Sequence, residues 1–125
     1  MNDYKIKDSG KRQEFSTGMQ RDSCEKIRYD LVPMFIRERL AEHYTKGAKK
    51  YTLRNWEKAK TESELERFIA SAERHFNAWL KGETEEDHVS ALIFNLIGVE
   101  MVISKMNGEP IDMGPLENII KRRLK

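Results

Sequence analysis

One cysteine, Cys24, is all the chain contains, so no internal disulfide can form and a reducing compartment suits it. No run of about 18 apolar residues is flanked for membrane insertion. The opening residues Met-Asn-Asp-Tyr-Lys-Ile-Lys-Asp-Ser-Gly lack the apolar core of a secretion signal, which makes a cytoplasmic setting the expectation. Charge of one sign is missing too: 35% of residues are charged, yet the formal net charge is +2. No overall field therefore points to nucleic acid, and no membrane partner is expected. There is no Gly-rich phosphate loop, no internal repeat and no low-complexity tract, and no strand pattern of note outside residues 27–32. What these absences leave is one domain of 125 residues, large enough to fold around a core without staples.

What is present is helical periodicity organised around residues 70–102. From Val89 to Met106 the chain is apolar nearly all round, the mark of a helix buried on several sides. Thr84 followed by Asp87 reads as a capping box that starts this helix near Glu85. Before it, Thr61 and Ser63 followed by Glu64 and Glu66 signal a helix that runs to about Lys81 and stops at Gly82. Ile36, Leu40 and Tyr44 define an earlier helix, opened by Pro33 and ended by Gly47. Pro115 opens a short amphipathic one that closes in a basic tail, whose cations suit the negative end of a helix dipole. The expected fold is all-α: a small bundle with helices near residues 33–46, 63–81, 85–106 and 115–124. Residues 1–20 are an N-terminal extended arm, and residues 21–125 form the single helical domain. So apolar a central helix is hard to cover in a short chain, so a homo-oligomer is expected.

Polar groups sit where apolar ones belong. His88 and Asn95 share one stripe of the central helix, and His75 lies on the apolar face of the helix before it. Both imidazoles can face one interior, either as core histidines satisfied locally or as parts of a site. Residues 1–60 carry fifteen Lys/Arg against nine Asp/Glu, and residues 61–108 carry four against nine. An acidic cluster able to hold a divalent cation would then lie near cations able to hold phosphates, the arrangement a nucleotide needs. The stretch Lys46-Gly47-Ala48-Lys49-Lys50-Tyr51-Thr52-Leu53-Arg54-Asn55-Trp56 packs cations around two aromatics and an amide. It can clamp phosphates and stack on a base, or its aromatics can simply anchor the connection to the core.

Phe15-Ser16-Thr17-Gly18 with Arg21-Asp22, then Arg28-Tyr29-Asp30-Leu31-Val32-Pro33, then Leu40-Ala41-Glu42-His43-Tyr44, Lys46 to Tyr51, Arg54-Asn55-Trp56-Glu57-Lys58, Arg74-His75, Gly82-Glu83, Glu86-Asp87-His88 and Asn95 occur in the order of a known family. By these blocks the chain resembles the dATP/dGTP diphosphohydrolase-like family of phages and prophages, related to the all-α MazG-type pyrophosphohydrolases. That resemblance implies metal-dependent hydrolysis of a purine deoxynucleoside triphosphate to the monophosphate and pyrophosphate, in the host cytoplasm if the chain is phage-encoded. It implies a nucleotide or nucleotide-derived small molecule as partner, and a divalent cation, Mg or Mn, as cofactor if the chain is catalytic and none otherwise. His75, Asp87 and His88 would hold the ion, and Glu83 or Glu86 would orient the attacking water. Lys49, Lys50, Arg54 and Arg74 would neutralise phosphates, with Tyr51, Asn55, Trp56 and Asn95 as further ligand contacts and Arg21, Lys26 and Arg28 as a second basic group. Thr52 and Glu25 stand where the family places glycine, which predicts loops of a different shape. The carboxylate pair that binds magnesium in the MazG-type helix falls here on His88 and Ala91. A second reading stays open: the same pocket without turnover, sequestering a nucleotide signal of host antiviral defence.

Overall fold

Helix α3, His88–Met106, is flanked by the two longest other helices, α1 (Met34–Lys50) and α2 (Glu62–Leu80), and packs against both. These elements come from the computed structural model, which describes residues 3–123. The chain divides into a first unit ending at Val32 and a second beginning at Pro33. Apart from two short strands in the first unit, the regular structure among the described residues is helical, and α4 (Pro115–Arg123) is its last element. Leu124, expected as the last apolar position of that helix, lies outside the described residues.

Within the first unit the residues read as an extended arm carry a short hairpin. Strands β1 (Arg12–Glu14) and β2 (Gln20–Asp22) pair antiparallel, with Gln13 opposite Arg21. Gly18, at φ 88°, supplies the left-handed residue of the turn, and its N–H donates to the Phe15 carbonyl at 2.9 Å. The Asp22 carboxylate accepts from the Ser9 and Cys24 backbone N–H groups at 2.7 and 2.9 Å and ties the hairpin to its flanks. Residues 27–32, where the sequence shows its one strand-like run, contain a 3-10 turn, Tyr29–Leu31. Strands this short and this polar carry no period-two apolar signal, which is why the sequence hides them.

In the second unit α1 runs through Gly47 to Lys50 rather than ending there. A glycine inside a helix costs only about 1 kcal/mol relative to alanine, too little to stop it against favourable packing. The chain turns after Tyr51 instead, with Arg54 in the left-handed region at φ 60°, and passes through the 3-10 turn Asn55–Lys58. Thr61 and Glu64 form the expected capping box of α2, and Gly82, at φ 78°, follows its end. Helix α3 starts three residues later than Thr84 predicts. Asp87 is the cap, its carboxylate accepting from the Ser90 N–H at 3.1 Å and the Ser90 hydroxyl at 2.7 Å.

Pairs 75–88 and 68–98 show that α2 and α3 run antiparallel, while pairs 39–87 and 43–94 show that α1 runs parallel to α3. Ala59, Met101 and Val102 form the buried core, covered by Trp56, Leu65 and Phe68 and by Ile111 and Met113. The Lys105 ammonium donates to the carbonyls of Glu57 and Ala59, fastening the 3-10 turn to the end of α3. By length and composition α3 would pass for a membrane-crossing helix, contrary to the reading of the sequence. Two helices pack against it, burying Ala91, Gly98, Met101 and Val102 together with His88, Ser90 and Asn95. Ile69, Phe76, Leu80, Leu96 and Ile103 stay exposed on α2 and α3.

Close approach of α2 and α3 depends on Gly98. A Cβ there would lie 2.5 Å from Cε1 of Phe68, whose ring is held among other side chains. Gly98→Ala is expected to destabilise the protein by about 1–2 kcal/mol, overpacking outweighing the gain in helix propensity. Equilibrium denaturation measures it, and an unchanged or raised stability would contradict the packing described.

Candidate functional site

A cavity of about 670 Å³ opens within the second unit, lined by α1, α2, the start and middle of α3, and the Tyr51–Trp56 connection. One wall is aromatic. Phe94 on α3 meets Tyr44 at 4.9 Å between ring centroids, His43 at 5.2 Å and Trp56 at 6.5 Å, and Tyr44 meets Trp56 edge-on at 5.1 Å. Burial in this wall pushes the Tyr44 phenol up to about 12.

The rest of the lining carries charge. Arg39, His43, Lys46 and Lys50 recur at spacings of four, three and four on α1 and so share one face. Arg67, Ser71 and His75 do the same on α2. Arg39 closes a forked pair on Asp87 at 2.7 and 3.1 Å, and that guanidinium holds the Asp87 carboxyl well below the usual carboxylate range. Lys46, Lys50 and Arg67 make no ion pair among the described residues, which leaves their charge available to a ligand.

At the α2–α3 junction the two histidines meet, both buried, with Nδ1 to Nδ1 at 2.9 Å. One tautomer assignment satisfies every contact of the neutral rings. His88 Nε2–H donates to Glu85 Oε1 at 2.8 Å, which leaves His88 Nδ1 to accept from His75 Nδ1–H. His75 Nε2 then carries a lone pair, 3.4 Å from the Arg74 guanidinium. Asn95, also buried, donates from Nδ2 to the Ala91 carbonyl at 2.7 Å and lines the cavity.

The expected residues thus divide. Lys50, Tyr51, Asn55, Trp56, His75, Glu86, Asp87 and Asn95 line the cavity. His88 stands behind His75, and Arg74 contacts His75 from an exposed position. Lys49 and Glu83 are exposed and are not among the lining residues. Arg54 is occupied by Glu57 at 2.6 Å. Arg21 and Lys26 border a cleft within the first unit, and Arg28 is paired with Asp30 at 2.7 Å. Sequence reasoning missed Arg39, His43 and Arg67 as cavity residues and had Lys46 only as part of a basic stretch. The four-and-three spacing from Arg39 through Lys50 was the signal that could have found the α1 set.

For an ion, His75, Glu86 and His88 place donor atoms within 4.8 Å of one another, and Glu83, Glu85 and His88 do likewise. Asp87 is drawn instead into its cap and the Arg39 pair. Magnesium demands near-octahedral oxygen coordination, so a donor set of two imidazoles and one carboxylate does not fit it.

A family model described as dATP/dGTP diphosphohydrolase, N-terminal, matches residues 16–110, which include every residue lining the cavity. No curated protein and no solved structure matches the chain.

Burial lowers the proton affinity of His43, with Lys46 adding to the shift and Asp87 and Glu86 opposing it. Burial also lowers that of His75, with Arg74 adding to it. The unfolded chain takes up these protons near the ordinary 6.5 while the folded one resists, so stability is full above that pH and falls as the pH drops below it. The melting temperature is expected to decline on acidification through this range, and His43→Gln should make the decline shallower. A variant profile parallel to that of the parent would contradict the burial assigned to His43.

Proposed function

The chain belongs to the dATP/dGTP diphosphohydrolase N-terminal family, and on that premise we propose that it binds a purine deoxynucleoside triphosphate in this cavity and hydrolyses it to the monophosphate and pyrophosphate. The observation that carries the reading is the meeting, around one cavity, of an aromatic wall, cations that make no ion pair among the described residues, and His75, buried against His88 and near the Glu86 carboxylate.

In this reading the base lies against Trp56, Tyr44 and Phe94, a stack worth roughly 1–3 kcal/mol. The Asn95 amide, its Nδ2 already donating to Ala91, offers Oδ1 to an amino group of the purine. Lys46, Lys50 and Arg67 neutralise the phosphates, and the Arg39–Asp87 pair holds α1 against the start of α3. Water adds to the α-phosphorus, the bond to the oxygen bridging to the β-phosphate breaks, and pyrophosphate departs. Glu86, which lines the cavity, orients that water and takes its proton. The cations stabilise charge developing on the leaving group in a site partly screened from water.

Incubation with dATP, dGTP and their ribose counterparts, read by mass spectrometry for both bound ligand and products, tests the reaction. Deoxynucleoside monophosphate with pyrophosphate is expected. Retention of intact nucleotide would overturn turnover and select sequestration. Lys50→Ala and Arg67→Ala are each expected to weaken nucleotide affinity about ten- to a hundredfold, the worth of a charge-assisted hydrogen bond. Arg54→Ala, its guanidinium already held by Glu57, should leave affinity unchanged. Calorimetric titration beside melting curves checks this, and equal loss in all three variants would contradict the assignment of the phosphate contacts.

A further inference from the structure

The geometry points to a transition-metal site at His75, His88 and Glu86, one that takes a borderline ion such as manganese, cobalt or zinc in place of the magnesium that pyrophosphate chemistry commonly uses. This deepens the proposed hydrolysis and rests on it for the ion's role, not for its binding.

The two Nδ1 atoms face each other at 2.9 Å. Two nitrogens bound to one tetrahedral ion at about 2.1 Å would lie about 3.4 Å apart, so the rings need to open by only about half an ångström to become neighbouring ligands. His88 is oriented by Glu85, which accepts its Nε2–H at 2.8 Å and fixes the tautomer with the Nδ1 lone pair turned toward His75. A carboxylate behind a histidine in this way is the arrangement that positions metal-bound imidazoles elsewhere. Glu86 brings an oxygen within 4.8 Å of both rings and, with His75, lines the cavity.

In the metal-free state the spacing is a normal hydrogen bond, with one proton held between the rings. Loading an ion frees His75 Nδ1 by shifting its one proton to Nε2, the other neutral tautomer, where Arg74 now stands 3.4 Å away. Arg74 is exposed and can turn outward. Imidazole donors favour manganese through zinc over magnesium, which holds its water and prefers carboxylate and phosphate oxygen.

The test is titration of cobalt(II) into the full chain without nucleotide, followed by visible absorption and calorimetry, with magnesium added in excess afterwards. Stoichiometric binding is expected, with ligand-field bands that excess magnesium does not erase. His75→Ala and His88→Ala should abolish the bands. Because either change could disturb the core, exposed Glu85→Gln provides the second arm: it should melt like the parent and bind cobalt about ten- to a hundredfold more weakly. Absence of stoichiometric binding, bands that survive His75→Ala, or displacement by an equal concentration of magnesium would overturn the site. Cobalt bound in the histidine site with nucleotide retained uncleaved would support the site while sinking the hydrolysis. Products formed with magnesium and no cobalt binding would sink the site alone.

Discussion

Helices α2 and α3 can approach closely because Gly98 presents no side chain to the Phe68 ring, and the same antiparallel pairing brings His75 onto His88 near the junction. The two contacts are about two to three turns apart along one interface, so the spacing set at Gly98 propagates to the imidazoles. Widening that interface by one methyl group would pull on the only polar contact that joins these helices among the described residues. Packing and chemistry therefore share a single geometric constraint.

Burying two histidines, a serine and an asparagine on one helix is costly unless each finds a partner. Each does. His88 is held between His75 and Glu85, Ser90 bonds to its own cap Asp87, and Asn95 donates back to Ala91. No buried side-chain nitrogen or oxygen among the described residues is left without a partner. Yet several of these partners are local and small, and His75, Asn95 and Glu86 remain among the residues that line the cavity. Satisfaction within the helices and availability to a ligand are compatible here because the network is short and ends at the cavity wall.

Much of this was legible beforehand. The apolar run from Val89 to Met106 identified the core helix, the Thr61–Glu64 pair fixed the start of α2, and the phases of His75, His88 and Asn95 brought them to one region. Boundaries were harder. Gly47 looked like a stop, but a single glycine does not overcome helix packing, and its persistence in α1 carries Lys50 onto the cavity face. Thr84 matched a capping pattern that Asp87 in fact supplies, because a carboxylate already fixed by Arg39 is the better acceptor for the first free N–H groups. Partners over long range were not legible at all: nothing in the spacing links Arg39 to Asp87, Lys105 to the Glu57 carbonyl, or Arg54 to its neutralising Glu57 rather than to a ligand. The hairpin at Arg12–Asp22 escaped because its strands are too short and too polar to leave a pattern.

The central claim is that one cavity, bounded by α1, α2 and α3, receives the nucleotide with its base on the aromatic wall and its phosphates toward the imidazole pair. A crystal structure with a purine deoxynucleoside triphosphate analogue made resistant at the α–β bridge tests it most directly. The account predicts the base against Trp56 and Phe94, the phosphate chain on Lys50 and Arg67, and the α-phosphate beside His75 and Glu86. An analogue seated outside this cavity, or one inside it with the triphosphate directed away from His75, would contradict it.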